Sequence, residues 1–504
     1  MKRKQIDLKD PYFNSQLITY IGNKRRLLPF LNEGFQYVIE SLGRDNLAIL
    51  DGFSGSGAAA RLLKCYAKKL YVNDLENYCF TINKCFLANR SDVDIDKVKG
   101  YINWLNEHKL SRNKPGFIEL NYAPEDDNHI RPGERVFYTN RNAKVIDNVR
   151  RLIDKEVPPK YRTFCLGSLL VAASVHTNTS GVFKGFHKKD GIGHFGGRGE
   201  NALKRIKAEI VLKVPLLSDC ECDVRVYQED INKLVKSPKL PELDLAYYDP
   251  PYNQHPYGSN YFMLNLINDY DNFDIQEGVS GIMREWNRSA YNKRREAEAA
   301  MDNLLENTDS KYILMSYNDE GLIPIARLRP MLKSHGKLRL MVKDYNTYRG
   351  SRNLRNRSIK VKEHLWILEK NYPSLVILNL FQNLHFNLFQ NLHFNLFQNL
   401  HLRQILKQVQ DDPEKCLPWR QASVQGDTPF LVPYPLYLLP YTFHSLPFAL
   451  MYSIFTIWVI LQRCRRSREA KASSGSLISP RPEPLRWISR NQKQLNGRSR
   501  TRTL

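Results

Sequence analysis

Three features of residues 1–370 predict an α/β fold, a mixed sheet with helices packed on its faces. Short apolar runs alternate with amphipathic stretches, the pattern of strands followed by covering helices. One such run, Leu47–Asp51, passes through a glycine-rich turn into a helical stretch over Ala58–Lys68. The next run, Leu70–Asp74, closes on an acid, about 20 residues beyond the turn, where doubly wound sheets bind a ribose.

The turn reads Asp51-Gly52-Phe53-Ser54-Gly55-Ser56-Gly57. Glycines let backbone come close to a ligand, and a helix N-terminus offers unpaired N–H groups. A tight strand-to-helix connection with no ligand is the plain alternative. No Gly-Lys-Ser/Thr follows, so this is not a P-loop, and the glycine fingerprint of NAD enzymes is incomplete. Asp74 also has a plain alternative, as the cap of a helix starting at Leu75. The joint spacing favours an adenosyl ligand.

A second strand, Asp244–Tyr248, runs directly into Asp249-Pro250-Pro251-Tyr252. The prolines restrict the backbone and remove two N–H donors, leaving carbonyl oxygens as the polar feature of the loop. An exocyclic amine on a purine is a weak nucleophile until acceptors engage its two N–H groups and localise its lone pair. The Asp249 carboxylate and the Pro250 carbonyl are suited to that task. Tyr252 offers a ring on which an extruded base can stack, worth roughly 1–3 kcal/mol per base. A plain turn explains the prolines but not the flanking acid and aromatic.

With these motifs in this order, the chain resembles the D12-class, α-type DNA adenine methylases. Their segments run methionine-binding region, glycine turn, target recognition region and DPPY. Thr19-Tyr20-Ile21-Gly22-Asn23-Lys24 resembles the first of these, which implies cofactor contacts from Tyr20 and Lys24. Asn23 stands where the family usually carries glycine. The glycine loop matches Phe53, Ser54, Gly55 and Gly57, the ribose acid Asp74, and the adenine-contacting acid Asp230. The catalytic set is Asp249, Pro250, Pro251 and Tyr252, with Asp249 also beside the cofactor.

The resemblance implies the Rossmann-like mixed sheet of methyltransferases that use S-adenosylmethionine (AdoMet), formed by residues 10–94 and 221–370. An inserted, largely helical target recognition domain is expected over 95–220, and a low-complexity tail over 371–504. The implied reaction transfers a methyl group from AdoMet to the N6 amine of a flipped adenine in double-stranded DNA, by direct in-line displacement. Ser259-Asn260-Tyr261-Phe262 corresponds to a pocket wall, and Lys311–Asn318 and Glu363–Leu368 to the last strands. No metal is implied, and any paired restriction endonuclease is a separate protein.

Two stretches suit DNA contact. Asn178–Lys189 interleaves Phe183 and Phe186 with Lys184, Lys188 and Lys189, for base stacking and phosphate contact. Tyr345–Arg355, between two strands, carries Arg349 and Arg352. A solvated basic loop is the plain reading of each. The formal charge of +23 includes a surplus of +13 in residues 1–370, which suits a polyanionic partner.

Other chemistries fit less well. Cytosine C5 methylation needs a Pro-Cys nucleophile, absent from residues 1–370. Cytosine N4 enzymes more often place serine at the Asp249 position, which keeps them as an alternative. RNA or protein-glutamine methylation favours asparagine there. A basic, non-enzymatic DNA-binding protein accounts for the charge alone.

The eight cysteines form no Cys-x-x-Cys pair, indicating neither a zinc knuckle nor a disulfide framework. That usage and the charged N-terminus suit the cytoplasm. Beyond residue 370 the octapeptide Asn379-Leu-Phe-Gln-Asn-Leu-His-Phe recurs from Asn387 and again, nearly unchanged, from Asn395. Eight residues is not a whole number of helical turns, and a solenoid needs longer units. Phe443–Gln462 is apolar and precedes four arginines, but its prolines and setting argue against a membrane span. The Ser/Arg/Pro-rich end reads as disordered.

Overall fold

The computed structural model describes residues 6–371, except 45, 112, 113, 198, 199, 201, 272, 273 and 347–359. The octapeptide repeat, the apolar stretch, the basic end, Arg349 and Arg352 all lie outside the described residues. The chain divides into two units, Met1–Leu388 and Phe389–Leu504, and the described residues all belong to the first.

Nine strands are present among the described residues: β1 Leu47–Asp51, β2 Ala67–Asp74, β3 Lys188–Lys189, β4 Ile192–Gly193, β5 Asp223–Gln228, β6 Leu243–Tyr248, β7 Ser310–Asn318, β8 Gly336–Asn346 and β9 Lys360–Lys370. Seven form one sheet in the order β5-β2-β1-β6-β7-β9-β8, and β3 pairs with β4 as a separate short hairpin. Strands β5 to β7 in that order are parallel, while β9 runs antiparallel to both β7 and β8. This is the mixed, Rossmann-like sheet that the sequence predicts.

Burial explains the central strands. All six residues of β6 are buried, so apart from Asp244, which accepts from Ala48 N, the strand reads as an apolar run rather than an alternating one. One face packs on the helices Leu28–Leu42 and Ala58–Lys64 through Phe35, Leu62 and Leu63. The other packs on Ala297–Asn307 and Ile325–Ser334 through Met301, Leu304 and Leu328. The helix after the glycine turn ends at Lys64, not at Lys68. Strand β2 already begins at Ala67, with Lys68 and Lys69 exposed at its start; these lysines are strand residues at the amino end of β2.

Residues 95–220 add no strand to the main sheet among the described residues. They supply the helices Ile95–His108, Phe117–Tyr122, Asn140–Glu156, Pro159–Val175 and Leu203–Lys207, and the β3–β4 hairpin. Local caps start them: Asp94 accepts from Lys97 N and Thr139 from Asn142 N, satisfying first-turn donors. Arg150 anchors this layer by donating from Nε to Ile267 O and from Nη2 to Asn268 O.

Cys65 and Cys220 are joined in a disulfide, which corrects the reading of the cysteines from spacing. The pair is 155 positions apart in sequence and 5.0 Å apart at Cα, and such connectivity is not encoded in local spacing. Among the described residues no helix is long and apolar enough to cross a membrane.

Candidate active site

From β1 the sheet is built outward through β2, and from β6 in the opposite direction through β7. The crevice at the carboxyl ends of β1 and β6 is therefore the topological switch point, where open α/β sheets bind ligands. Both predicted loops emerge there, Asp51–Gly57 from β1 and Asp249–Tyr252 from β6.

Asp249 faces a buried cation. Lys24 Nζ lies 2.9 Å from Asp249 Oδ1 and 3.1 Å from Glu363 Oε1, with the lysine 5% and Glu363 3% exposed. The approach to Oδ1 is an ion-pair contact without hydrogen-bond geometry. Glu363 is held on β9 by Ser316 Oγ, which donates to Oε1 at 2.6 Å. Burial raises the Asp249 carboxyl to about 6, with Lys24 pulling down and Glu363 pushing up. Burial disfavours the Lys24 ammonium, but Asp249 and Glu363 outweigh it and hold its pKa well above the usual value.

The glycine loop is shaped by its neighbours. Gly55 has φ +51°, and a Cβ there would stand 2.8 Å from Tyr20 Cε1; Gly57, at φ +76°, would meet Asn83 Oδ1 at 2.6 Å. A side chain at either position is excluded by conformation and by space. Asn83 Nδ2 donates to Ser54 Oγ and to Gly55 O. Asp74 accepts from Gly55 N through Oδ2 (2.7 Å) and from Glu76 N through Oδ1 (3.0 Å). It thereby ties the loop to β2 while lining the same pocket. The following helix starts at Asn77 rather than Leu75.

One pocket is lined by Tyr20, Lys24, Phe53, Ser54, Gly55, Asp74, Asp230, Asp249, Pro250, Pro251 and Tyr252. Gly57 is not part of that lining and caps the start of the helix Ala58–Lys64. Asp230 also caps the short helix Ile231–Leu234, accepting from Asn232 N and Lys233 N. Tyr20 stacks on Tyr261 at 5.0 Å and packs on Tyr257 at 4.9 Å. Tyr261 stands behind Tyr20, its hydroxyl taking the Ile21 N–H at 2.7 Å, while Tyr257 lines the pocket itself.

Several lining residues carry no motif signal. Asp51 is fully buried, and neither carboxylate oxygen has a hydrogen-bond partner among the described residues. Burial, then Asp249 and Asp74, push its pKa well up, against weaker pulls from the Phe53 and Ala60 amides. Glu76 is raised to about 7 by burial and accepts from Asn265 Nδ2 at 2.7 Å. Asn287, Ser289 and Tyr291 close the far wall. Asp51 is visible in the sequence as the acid before the glycines; the others fit no short pattern.

Lys184, Lys188 and Lys189 are exposed and lie outside this pocket. The phenylalanines between them do not form a stacking platform. Phe183 is 2% exposed, and Phe186 packs edge-on against Phe137 at 5.2 Å. They anchor the loop to the core, and Asn178 braces it by donating to Val136 O and His194 O. Among the described residues no group of three or more His, Cys, Asp or Glu side chains is arranged to hold a metal.

A Rossmann-like sheet whose switch point joins a glycine loop to a DPPY loop defines an amino-methyltransferase. Residues 20–331 match the model of the D12 class N6 adenine-specific DNA methyltransferases, and the chain belongs to that family. It is 30% identical over 363 residues to the type II methyltransferase M.NlaIII of Neisseria lactamica, matching 70% of this chain and all of that protein. The type II methyltransferase M.CviAII of Paramecium bursaria Chlorella virus 1 is 28% identical, over 66% of this chain and 93% of its own length. The modification methylase LlaI of Lactococcus lactis subsp. lactis is 27% identical over 70% of this chain and 55% of its own. The protein is a site-specific, adenine-specific DNA methyltransferase.

Proposed function

We propose that the β1–β6 pocket binds AdoMet and that Asp249-Pro250-Pro251-Tyr252 receives the flipped adenine beside it. The observation that carries this is the meeting of Asp249, Lys24 and the glycine loop in one pocket. The donor set fits an adenosyl amino acid: the unpartnered Asp51 oxygens suit an ammonium, and the Gly55 turn leaves no side chain between backbone and ligand. Tyr20, Lys24, Phe53, Ser54, Gly55, Gly57, Asp74 and Asp230 are the proposed cofactor residues. When bound, AdoMet supplies an electrophilic methyl group. The chain's own part is to accept hydrogen bonds from the adenine amine at the Asp249 carboxylate and the Pro250 carbonyl, and to stack the base on Tyr252. Pro251 keeps that loop rigid.

Residues 95–220 are proposed as the target recognition domain, inserted between catalytic segments 10–94 and 221–370. Lys184, Lys188 and Lys189 there would contact phosphates of double-stranded DNA. One of the named relatives is a modification methylase and two are type II methyltransferases, which supports a separate cognate endonuclease as partner; action on DNA supports a cytoplasmic setting. The test of the whole reading is calorimetric titration of AdoMet followed by sequencing of modified bases in plasmid DNA from expressing cells. N6-methyladenine at one recurrent sequence is expected; absence of AdoMet binding overturns it.

Two further outcomes are expected. Asp74→Ala should weaken AdoMet binding about tenfold or more, because a charge-assisted acceptor worth ~1.5–3 kcal/mol is removed. The glycine loop also loses the anchor at Gly55 N. Unchanged affinity by calorimetry would restrict Asp74 to shaping the turn. Removing residues 371–504 should leave methylation site and rate unchanged, since 70% of this chain already spans the whole of the Neisseria relative. A folded 1–370 fragment that cannot methylate DNA at low salt would make the tail functional.

A further inference from the structure

The segment Arg284–Glu296 holds five cationic side chains against two acids, and its inner side is built into the active site. Asn287 Nδ2 donates to Leu75 O at 2.9 Å, just beyond β2. Asn292 Nδ2 donates to Asn253 O at 2.7 Å, in the loop that continues from Tyr252. Tyr291 Oη donates to Asn232 Oδ1 at 2.8 Å, and its ring meets Phe53 edge-on at 5.1 Å. The segment therefore bridges the turn after β2 and the catalytic loop. These contacts fix which side of the segment remains outward.

The outward side is cationic. Arg284, Arg288, Lys293, Arg294 and Arg295 are all exposed. Arg284 is paired with Asp274 and Lys293 with Glu296. Among the described residues no ion pair engages Arg288, Arg294 or Arg295. The Arg288 guanidinium instead lies over the Trp286 ring at 4.6 Å, which holds a planar cation in place without neutralising it.

We infer that Arg288, Arg294 and Arg295 form a phosphate clamp, holding the DNA backbone next to the extruded adenine. This rests on the switch-point pocket receiving the target base. A base rotated into that pocket brings its own phosphates to the rim, and the rim on this side is the 284–296 segment. Arginine forks match phosphate oxygens bidentately. The contact is independent of sequence, because backbone phosphates position the duplex and base edges specify it. Anchoring through Asn287 and Asn292 makes the clamp rigid relative to Asp249, which keeps the strand in register with the acceptor loop.

The test uses the full chain and a labelled random-sequence duplex, with affinity measured between ~50 and ~200 mM salt. Arg294→Glu/Arg295→Glu and, separately, Arg288→Glu are compared with the parent and with Lys68→Glu/Lys69→Glu. The lysine control makes the same change in net charge as the double arginine variant, at the amino end of β2, whereas the site lies at the carboxyl ends of the strands. The arginine variants should bind DNA at least tenfold more weakly, and the slope of log affinity against log salt should fall by ~0.9 for each phosphate no longer neutralised. The lysine variant should match the parent. AdoMet titration on every variant separates the two levels: a parent that fails to bind AdoMet undoes the pocket assignment, not the clamp. Parent-like affinity and slope in both arginine variants, or an equal loss in the lysine control, would overturn the clamp.

Discussion

Asp249→Ala should reduce kcat on cognate DNA by at least ~10²–10³-fold, the scale set by removing one preorganised polar partner of a reacting group. The lone pair of the adenine amine becomes available for attack only when its N–H groups are held by acceptors. The Asp249 carboxylate is placed for this at the end of β6, in a pocket where burial strengthens each polar contact. Its carboxyl is raised to about 6 by burial despite Lys24, so acidification should replace the charged acceptor with a weaker neutral one near neutrality rather than near pH 4. The acidic limb of kcat is expected to show an apparent pKa of about 6. Stability runs the other way. A carboxyl raised in the folded state binds extra protons there, so its contribution is fully present below the unfolded value and is lost as pH rises through about 6. Parent-like turnover by Asp249→Ala would remove the residue from the chemistry. Asp249→Asn, which offers one carbonyl acceptor without charge, should retain more activity than alanine.

Much of this site was legible from the sequence because its parts are local. Strands β1 and β6 announce themselves as apolar runs, and each delivers its motif at its carboxyl end, so two short patterns also place the crevice between them. Asp74 was legible for the same reason: it ends a strand at a set distance from the glycines. Non-local pairings were hidden. Glu363 looks like an ordinary start to a terminal strand, yet β9 inserts antiparallel beside β7 and brings it under Lys24. Cys65 and Cys220 share nothing in sequence but their type. Interleaved aromatics and lysines at Phe183–Lys189 suggested a stacking surface, but periodicity cannot say which face a loop aromatic takes, and Phe183 went to the core. Segment 284–296 carried its charge openly; only its bridge between two active-site loops gives that charge a position.

Lys24→Met should destabilise the fold by ~3–5 kcal/mol, the range for removing one partner of a buried ionic cluster. Methionine fills similar space, so reduced packing is a small part of the effect. The large part is electrostatic: Asp249 and Glu363 would face each other across the pocket with no cation between them, 16% and 3% exposed. Two consequences distinguish this from ordinary core damage. The pKa of Asp249 should rise further, so the acidic limb of any residual activity should move above that of the parent. Acid should also restore stability relative to the parent, since protonating either carboxylate relieves the repulsion and the folded state then binds the extra proton. Adding Glu363→Gln to Lys24→Met should recover part of the loss, because one of the two stranded charges is gone. The measurement is the denaturant midpoint of the four proteins of this cycle at neutral and acidic pH. A Lys24→Met midpoint equal to that of the parent at neutral pH would mean that the lysine does not neutralise these carboxylates in the folded enzyme. Its place beside Asp249 would then serve cofactor binding alone, to be read from the AdoMet affinity of the same variant.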